Sequence, residues 1–165
     1  MTDQAENTPK RSSIDRVRDS ADVLGLDIAI KRMEQSTRTA QEAADACGCA
    51  VGQIIKSLVF EDAANGELIL LLVAGDKNAD LAFLADQHGL NLRRSDTRKV
   101  RSDTGFAIGG VSPIGHINPI RTCVDKTLLE HDIVWAAAGR PDSVFSVDPR
   151  KLVEAIGAEI ISVTR

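Results

Sequence analysis

The sequence contains no tyrosine, one tryptophan and four phenylalanines, an aromatic content of 3%. A protein that stacks successive bases of a single strand on aromatic side chains needs more than that, so such a binder is excluded. Basic residues do not dominate either: 20 Lys and Arg stand against 24 Asp and Glu, for a net charge of −4. A generally basic nucleic-acid binder is excluded, although a local basic patch is not. Long apolar runs are missing. The longest, Leu68 to Ala74, is far shorter than the ~20 residues of a membrane-spanning helix. The first residues, MTDQAENTPKR, carry Asp3 and Glu6 and lack the apolar core of a signal peptide. Cysteine is scarce and odd in number, three in all, which favours free thiols in a reducing compartment over a disulfide framework. A cytoplasmic protein without membrane association is expected.

The chain of 165 residues is 43% hydrophobic and 27% charged, the balance of one globular domain. Residues 1–11 read as a flexible tail and residues 12–165 as the single domain. Ser12 or Ser13 can cap a helix whose apolar positions are Ile14, Val17, Ala21 and Leu24, with Gly25 as its stop. Residues 27–33 alternate as a strand does. Thr39 to Glu42 has the form of a capping box, opening a helix that Gly48 ends. Residues 53–61 and 67–74 form apolar strands joined across Asn65-Gly66, a hairpin signal. Asn78 is placed to cap a helix running to His88, and a short basic helix follows Asp96. Strands are expected at 122–124, 133–137, 144–147 and 159–163, with a helix starting at Asp148-Pro149. No βαβα alternation and no internal repeat is present. The reading is a mixed α/β (α+β) domain on a largely antiparallel sheet flanked by short helices.

Lys56 breaks a pattern. On a strand it shares a side with Ile54, Leu58 and Phe60, so one charge interrupts an apolar face. Such a lysine either snorkels to the sheet edge or lines a pocket that uses its charge. The segment GGVSPIG, Gly109 to Gly115, is either a tight turn or a bend whose exposed N–H groups bind a carbonyl or phosphate oxygen. Ser112 is not a hydrolase nucleophile elbow. The spacing is G-x-S-x-x-G, and Pro113 has no N–H to contribute to an oxyanion hole. Cys47 and Cys49 form C-x-C without a second pair, and His88, His116 and His131 lack ligand spacing, so no metal is expected. Neither a P-loop nor a dinucleotide fingerprint occurs, and no cofactor is expected. Residues 93–101 hold Arg93, Arg94, Arg98, Lys99 and Arg101 against Asp96, a local charge of +4. That cluster is either a solvated face or a grip on a nucleic-acid backbone.

Taken in order, TAQEAAD (39–45), IIKSLVF (54–60), GGVSPIG (109–115) and AAGRPDSVF (137–145) resemble the YbaK/EbsC family of freestanding aminoacyl-tRNA deacylases. The same fold serves as the editing insertion of bacterial prolyl-tRNA synthetases. The resemblance covers about residues 13–165 and implies a mixed, mostly antiparallel sheet curled toward a barrel. It implies hydrolysis of the ester of mischarged tRNA, typically tRNA for proline carrying alanine or cysteine, with no metal or cofactor. Lys56 falls on the family's functional lysine. Gly109 and Pro113 fall on its glycine-proline loop, with Gly110, Ser112 and Gly115 beside them as substrate-binding residues. Arg93, Arg94, Arg98, Lys99 and Arg101 are the expected tRNA contacts. Mischarged aminoacyl-tRNA is the implied partner, with prolyl-tRNA synthetase as the implied protein partner and translation fidelity as the role. Residues 139–142 lie where family members differ around the amino-acid side chain. The rival readings are a non-catalytic tRNA-binding module and a synthetase-associated accessory domain.

Overall fold

A computed structural model describes residues 12–34 and 39–165, so the expected tail at 1–11 lies outside the described residues. Helix α1 (Ser13–Leu24) opens where the Ser12 hydroxyl accepts a bond from the Asp15 N–H at 3.1 Å, and it ends at Gly25. Strand β1 (Ala29–Arg32) follows, then α2 (Ala40–Cys47), capped by Thr39, whose Oγ1 accepts from the Glu42 N–H at 3.1 Å. Strands β2 (Ile55–Asp62) and β3 (Leu68–Ala74) form the expected hairpin. Helix α3 (Leu81–His88) is capped by Asp80 rather than Asn78: the Asp80 carboxylate accepts from the Phe83 N–H at 3.0 Å.

Strand β4 (Leu92–Arg94) was not expected from its sequence; helix α4 (Thr97–Thr104), capped by Asp96, was. The remaining elements are β5 (Arg121–Asp125), β6 (Val134–Arg140), β7 (Ser143–Val147), α5 (Pro149–Ile156) and β8 (Glu159–Ile161).

The strands form two open sheets, ordered β1-β7-β6 and β4-β2-β3-β5-β8. Four ladders are antiparallel, whereas β3–β5 and β5–β8 are parallel. The expected curl toward a barrel is thereby corrected: an isolated parallel bridge between Ile54 and Trp135 links the sheets without closing them. Strand β3 explains its own uninterrupted apolar run. It is central, with both faces covered, and all seven of its residues are buried. Leu68, Leu70 and Leu72 join the main core with Val17 of α1, Phe106, Ala136, Phe145 and Leu152. Ile69, Leu71 and Val73 face a second core with Leu84 of α3, Leu90 and Cys123. Asp125 is buried too, and its carboxylate is fully occupied, accepting from Ala74 N–H at 3.0 Å and from the Thr127 N–H and hydroxyl.

Candidate functional site

The bridge at Ile54 and Trp135 sets β2 and β6 side by side at one point. Beyond it, the segment Ile108–Val111 lies against both. Gly110 packs so closely there that an added Cβ would stand 3.1 Å from Arg140 Cα. A cavity of about 350 Å³ occupies this junction. Its walls are apolar on the α2 side, where Ala40 and Ala43 meet Ile54 and Trp135. Ile108 and Gly109 contribute a second wall, and Arg140, Pro141 and Ser143 of the β6–β7 turn a third.

Lys56 lines this cavity. Its neighbours on the same side of β2 are apolar, as expected: Ile54 belongs to the small core under α2, and Leu58 and Phe60 pack on the second core. The lysine is half-buried, and its Nζ donates to the main-chain carbonyl of Lys77 in the segment after β3. An ammonium carries three N–H donors, so that bond leaves others for an anion or an oxygen of a ligand.

The glycine-proline loop divides between two places. Gly109 lines the Lys56 cavity in a left-handed conformation, φ 93°, which a side chain would strain. Ser112 is fully buried and faces away from solvent. Its Oγ accepts from the Ile114 N–H at 3.2 Å, and its carbonyl accepts from His116 Nε2 at 2.6 Å. Pro113 and Gly115 line a separate surface depression with Ser20 and Leu24 of α1. The cavity therefore brings together Lys56 and Gly109, while Ser112, Pro113 and Gly115 shape the loop from behind.

That loop is anchored by aromatic and cationic contacts. The Arg16 guanidinium lies 4.8 Å from the Phe106 ring centroid and donates to the Gly105 carbonyl. The His116 ring meets Phe106 edge-on at 5.9 Å. Burial pushes the imidazole pKa down, the bond to the Ser112 carbonyl opposes that shift, and nearby Arg16 adds to it; the net direction is down.

The basic cluster stands apart from the cavity. Glu61 lies at the far end of β2 from Lys56, five residues along, or roughly 17 Å at the usual strand rise. Arg93 pairs with Glu61 at 3.1 Å, and Lys99 reaches the same carboxylate at 3.9 Å and donates to the Gly66 carbonyl. Arg94, Arg98 and Arg101 are exposed.

Sequence reasoning missed Trp135, which becomes a site residue only because β6 is brought beside β2, whereas Arg140 lies in the segment 139–142 that the resemblance sets around the amino-acid side chain. Arg140 is exposed at the rim, 3.3 Å from Asp142, which Arg32 also reaches at 3.3 Å. Burial raises the Asp142 carboxyl, but the Ser143 hydroxyl, Arg140 and Arg32 outweigh it and hold the pKa below the usual range. Among the described residues no cluster of three His, Cys, Asp or Glu side chains is arranged to hold a metal. Cys123 is buried, and desolvation together with Glu159 pushes its thiol up to about 11. No helix of the described residues is long and apolar enough to cross a membrane.

Comparison with known proteins covers most of the chain. The sequence model of the aminoacyl-tRNA editing domain matches residues 34–155. YwhH of Bacillus subtilis, described as uncharacterized, is 30% identical over 125 residues, 76% of this chain and 79% of that protein. EbsC of Enterococcus faecalis, described as a candidate Cys-tRNA(Pro)/Cys-tRNA(Cys) deacylase, is 22% identical over 127 residues, 76% of this chain and 77% of that one. A crystal structure described as a candidate trans-editing enzyme for prolyl tRNA synthetase superposes with a TM-score of 0.85. It is 39% identical and the match covers 95% of this chain and 99% of that chain.

Proposed function

The chain belongs to the aminoacyl-tRNA editing domain family, and on that premise we propose that it is a trans-acting deacylase that hydrolyses the ester of mischarged tRNA. The observation that carries this reading is the placing of Lys56 and Gly109 on the walls of one largely apolar cavity. Its volume of about 350 Å³ lies at the lower end of the roughly 300–1,000 Å³ typical of small-molecule sites, a size suited to one short aminoacyl group at the end of a nucleotide.

The chemistry asks little of the protein. Water attacks the ester carbonyl carbon, negative charge develops on the carbonyl oxygen, and the ribose oxygen departs with a proton. An aminoacyl ester is already activated, so positioning and charge stabilisation suffice. The Gly110 N–H is spent on the Ala107 carbonyl at 3.0 Å, so the Gly109 N–H is the loop donor proposed for the developing oxyanion. The Lys56 ammonium is suited to hold the terminal phosphate or to steady that charge. The substrate's vicinal ribose hydroxyl can orient the water, so no serine nucleophile is needed, in keeping with Ser112 being spent on its own turn. The exposed arginines of β4 and α4 would track the acceptor strand away from the cavity. Alanine or cysteine on tRNA for proline is the substrate proposed, and a prolyl-tRNA synthetase is the proposed protein partner.

The test is direct. Pure protein is mixed with tRNA for proline carrying alanine, cysteine or proline, and with correctly charged alanyl- and cysteinyl-tRNA, and free amino acid is followed. Rapid release from a mischarged species with prolyl-tRNA spared is the expected result. Binding of tRNA without release from any of them would overturn the enzyme reading in favour of a binding module.

A further inference from the structure

Ser57 is set apart by its place on the sheet and by its side-chain hydroxyl. Along β2 the residues alternate in the direction of their main-chain polar groups. Ile54 faces β3, since its carbonyl accepts from the Gly75 N–H at 2.7 Å, so Ile55, Ser57 and Val59 face the other edge. On that edge β4 pairs only with Phe60 to Asp62, and the Val59 carbonyl is taken by the Ser95 hydroxyl at 2.9 Å. The bridge to β6 lies at Ile54. Ser57 falls in the gap between these two attachments, with no ladder neighbour among the described residues for its N–H or carbonyl on that edge. Its Oγ is buried and has no hydrogen-bond partner among the described residues.

This residue lines the same cavity as Lys56 and Gly109. Among the described residues the other two hydroxyls in the walls are engaged: Thr39 accepts from the Glu42 N–H, and Ser143 donates to Asp142 at 3.0 Å. Among the described residues no aspartate or glutamate lines the cavity, whereas Lys56 and Arg140 are both cationic. An aminoacyl ester entering this cavity brings an α-amino group that must find acceptors. Burying it without them is costly.

We infer that Ser57 binds the α-amino group of the aminoacyl ester, its main-chain carbonyl and its Oγ accepting the amine's hydrogen bonds. The inference rests on the deacylase reading and adds to it the basis for telling an aminoacyl ester from one whose amine is absent or acylated. A hydroxyl left unsatisfied in the free protein is then satisfied only when substrate is bound. Fixing the amine also orients the neighbouring ester carbonyl, because the two are joined through a single carbon.

The experiment uses the aminoacyl-tRNA that the wild-type protein cleaves fastest. Its partner is the same tRNA carrying the same acyl chain without the α-amine, and each rate is divided by that ester's spontaneous hydrolysis. Wild-type protein should favour the aminoacyl ester by about tenfold or more, the scale of hydrogen bonds to a charged group. Ser57→Ala should lose most of that preference by slowing the aminoacyl ester alone, leaving the desamino ester within about twofold. Its melting temperature should equal or exceed that of the wild type, since an unmet buried hydroxyl has been removed. Ser57→Cys, of similar volume and a poor acceptor, should repeat the selective loss if the alanine variant folds badly. An equal fall on both esters, or an unchanged preference in both variants, overturns the Ser57 inference while leaving the deacylase reading intact. If the wild type cleaves no aminoacyl-tRNA at all, the deacylase reading falls and the inference falls with it.

Discussion

Lys56 donates from its Nζ to the main-chain carbonyl of Lys77, so the charge on β2 is held by backbone that follows the neighbouring strand β3. Among the described residues no carboxylate pairs with the ammonium. A backbone carbonyl fixes position while leaving the full positive charge available to a substrate anion.

Lys56→Ala should therefore keep the fold and lose most deacylation. Removing one half-buried side chain and its hydrogen bond to the Lys77 carbonyl should cost about 1 kcal/mol of stability. The single-turnover rate should fall on the order of 10²-fold or more if the ammonium steadies developing charge. Circular dichroism, thermal melting and single-turnover hydrolysis together check this. A well-folded variant with wild-type turnover would exclude a role in the reaction.

The glycine-proline loop separates backbone from side-chain chemistry. Gly109→Val should fold but react slowly. Nothing lies within 4 Å of an added Cβ, so the defect comes from forcing a branched residue to φ 93° and not from a clash. Ser112→Ala should lose about 1 kcal/mol of stability with its bond to the Ile114 N–H, yet retain substantial activity. Trapping an acyl-enzyme on Ser112 would contradict this mechanism.

Charge reversal in the basic cluster should weaken tRNA binding without changing the chemical step at saturating enzyme. Arg94, Arg98 and Arg101 are exposed, whereas Arg93 and Lys99 are partly occupied by Glu61. Arg94, Arg98 and Arg101 should dominate, each lost phosphate contact lowering the salt slope by roughly one unit. An unaltered slope would make the cluster a solvated face.

Acid should loosen the loop through His116. Its folded pKa lies below the ordinary value, chiefly through burial, so the folded protein favours the neutral ring. The associated stability is present above about pH 6.5, the unfolded value, and is lost as pH falls through the folded one. Melting temperature measured from pH 7.5 down to 5 should fall more steeply for the wild type than for His116→Gln. Identical profiles would show that the ring does not contribute.

The local features were readable in the sequence and the distant ones were not. Ser12, Thr39, Asp96 and Asp148 announce helix starts because a cap needs only residues two or three apart. Asn78 and Asp80 lie two residues apart, and the choice between them rests on which side chain reaches the Phe83 amide. Strand β4 is invisible as Leu-Arg-Arg, since pairing with Phe60 to Asp62 makes it a strand. At the site, Lys56 and Gly109 stood out by breaking the pattern around them. Ser57 carried no such signal, because its isolation depends on where β4 stops and β6 diverges.

The sheet order also constrains how the chain comes together. Strand β1 has its partner β7 more than a hundred positions later, and β3 gains its second neighbour only when β5 arrives. Strand β8, at one edge of the larger sheet, follows every other described strand in the chain. Such widely separated pairings delay folding, because loop closure must precede the contacts that reward it. On a ribosome, the hairpin β2–β3 can form early, but its apolar flanks must wait for distant strands. The cavity between β2 and β6 is consequently assembled late, and a nascent chain carries Lys56 well before it carries a site.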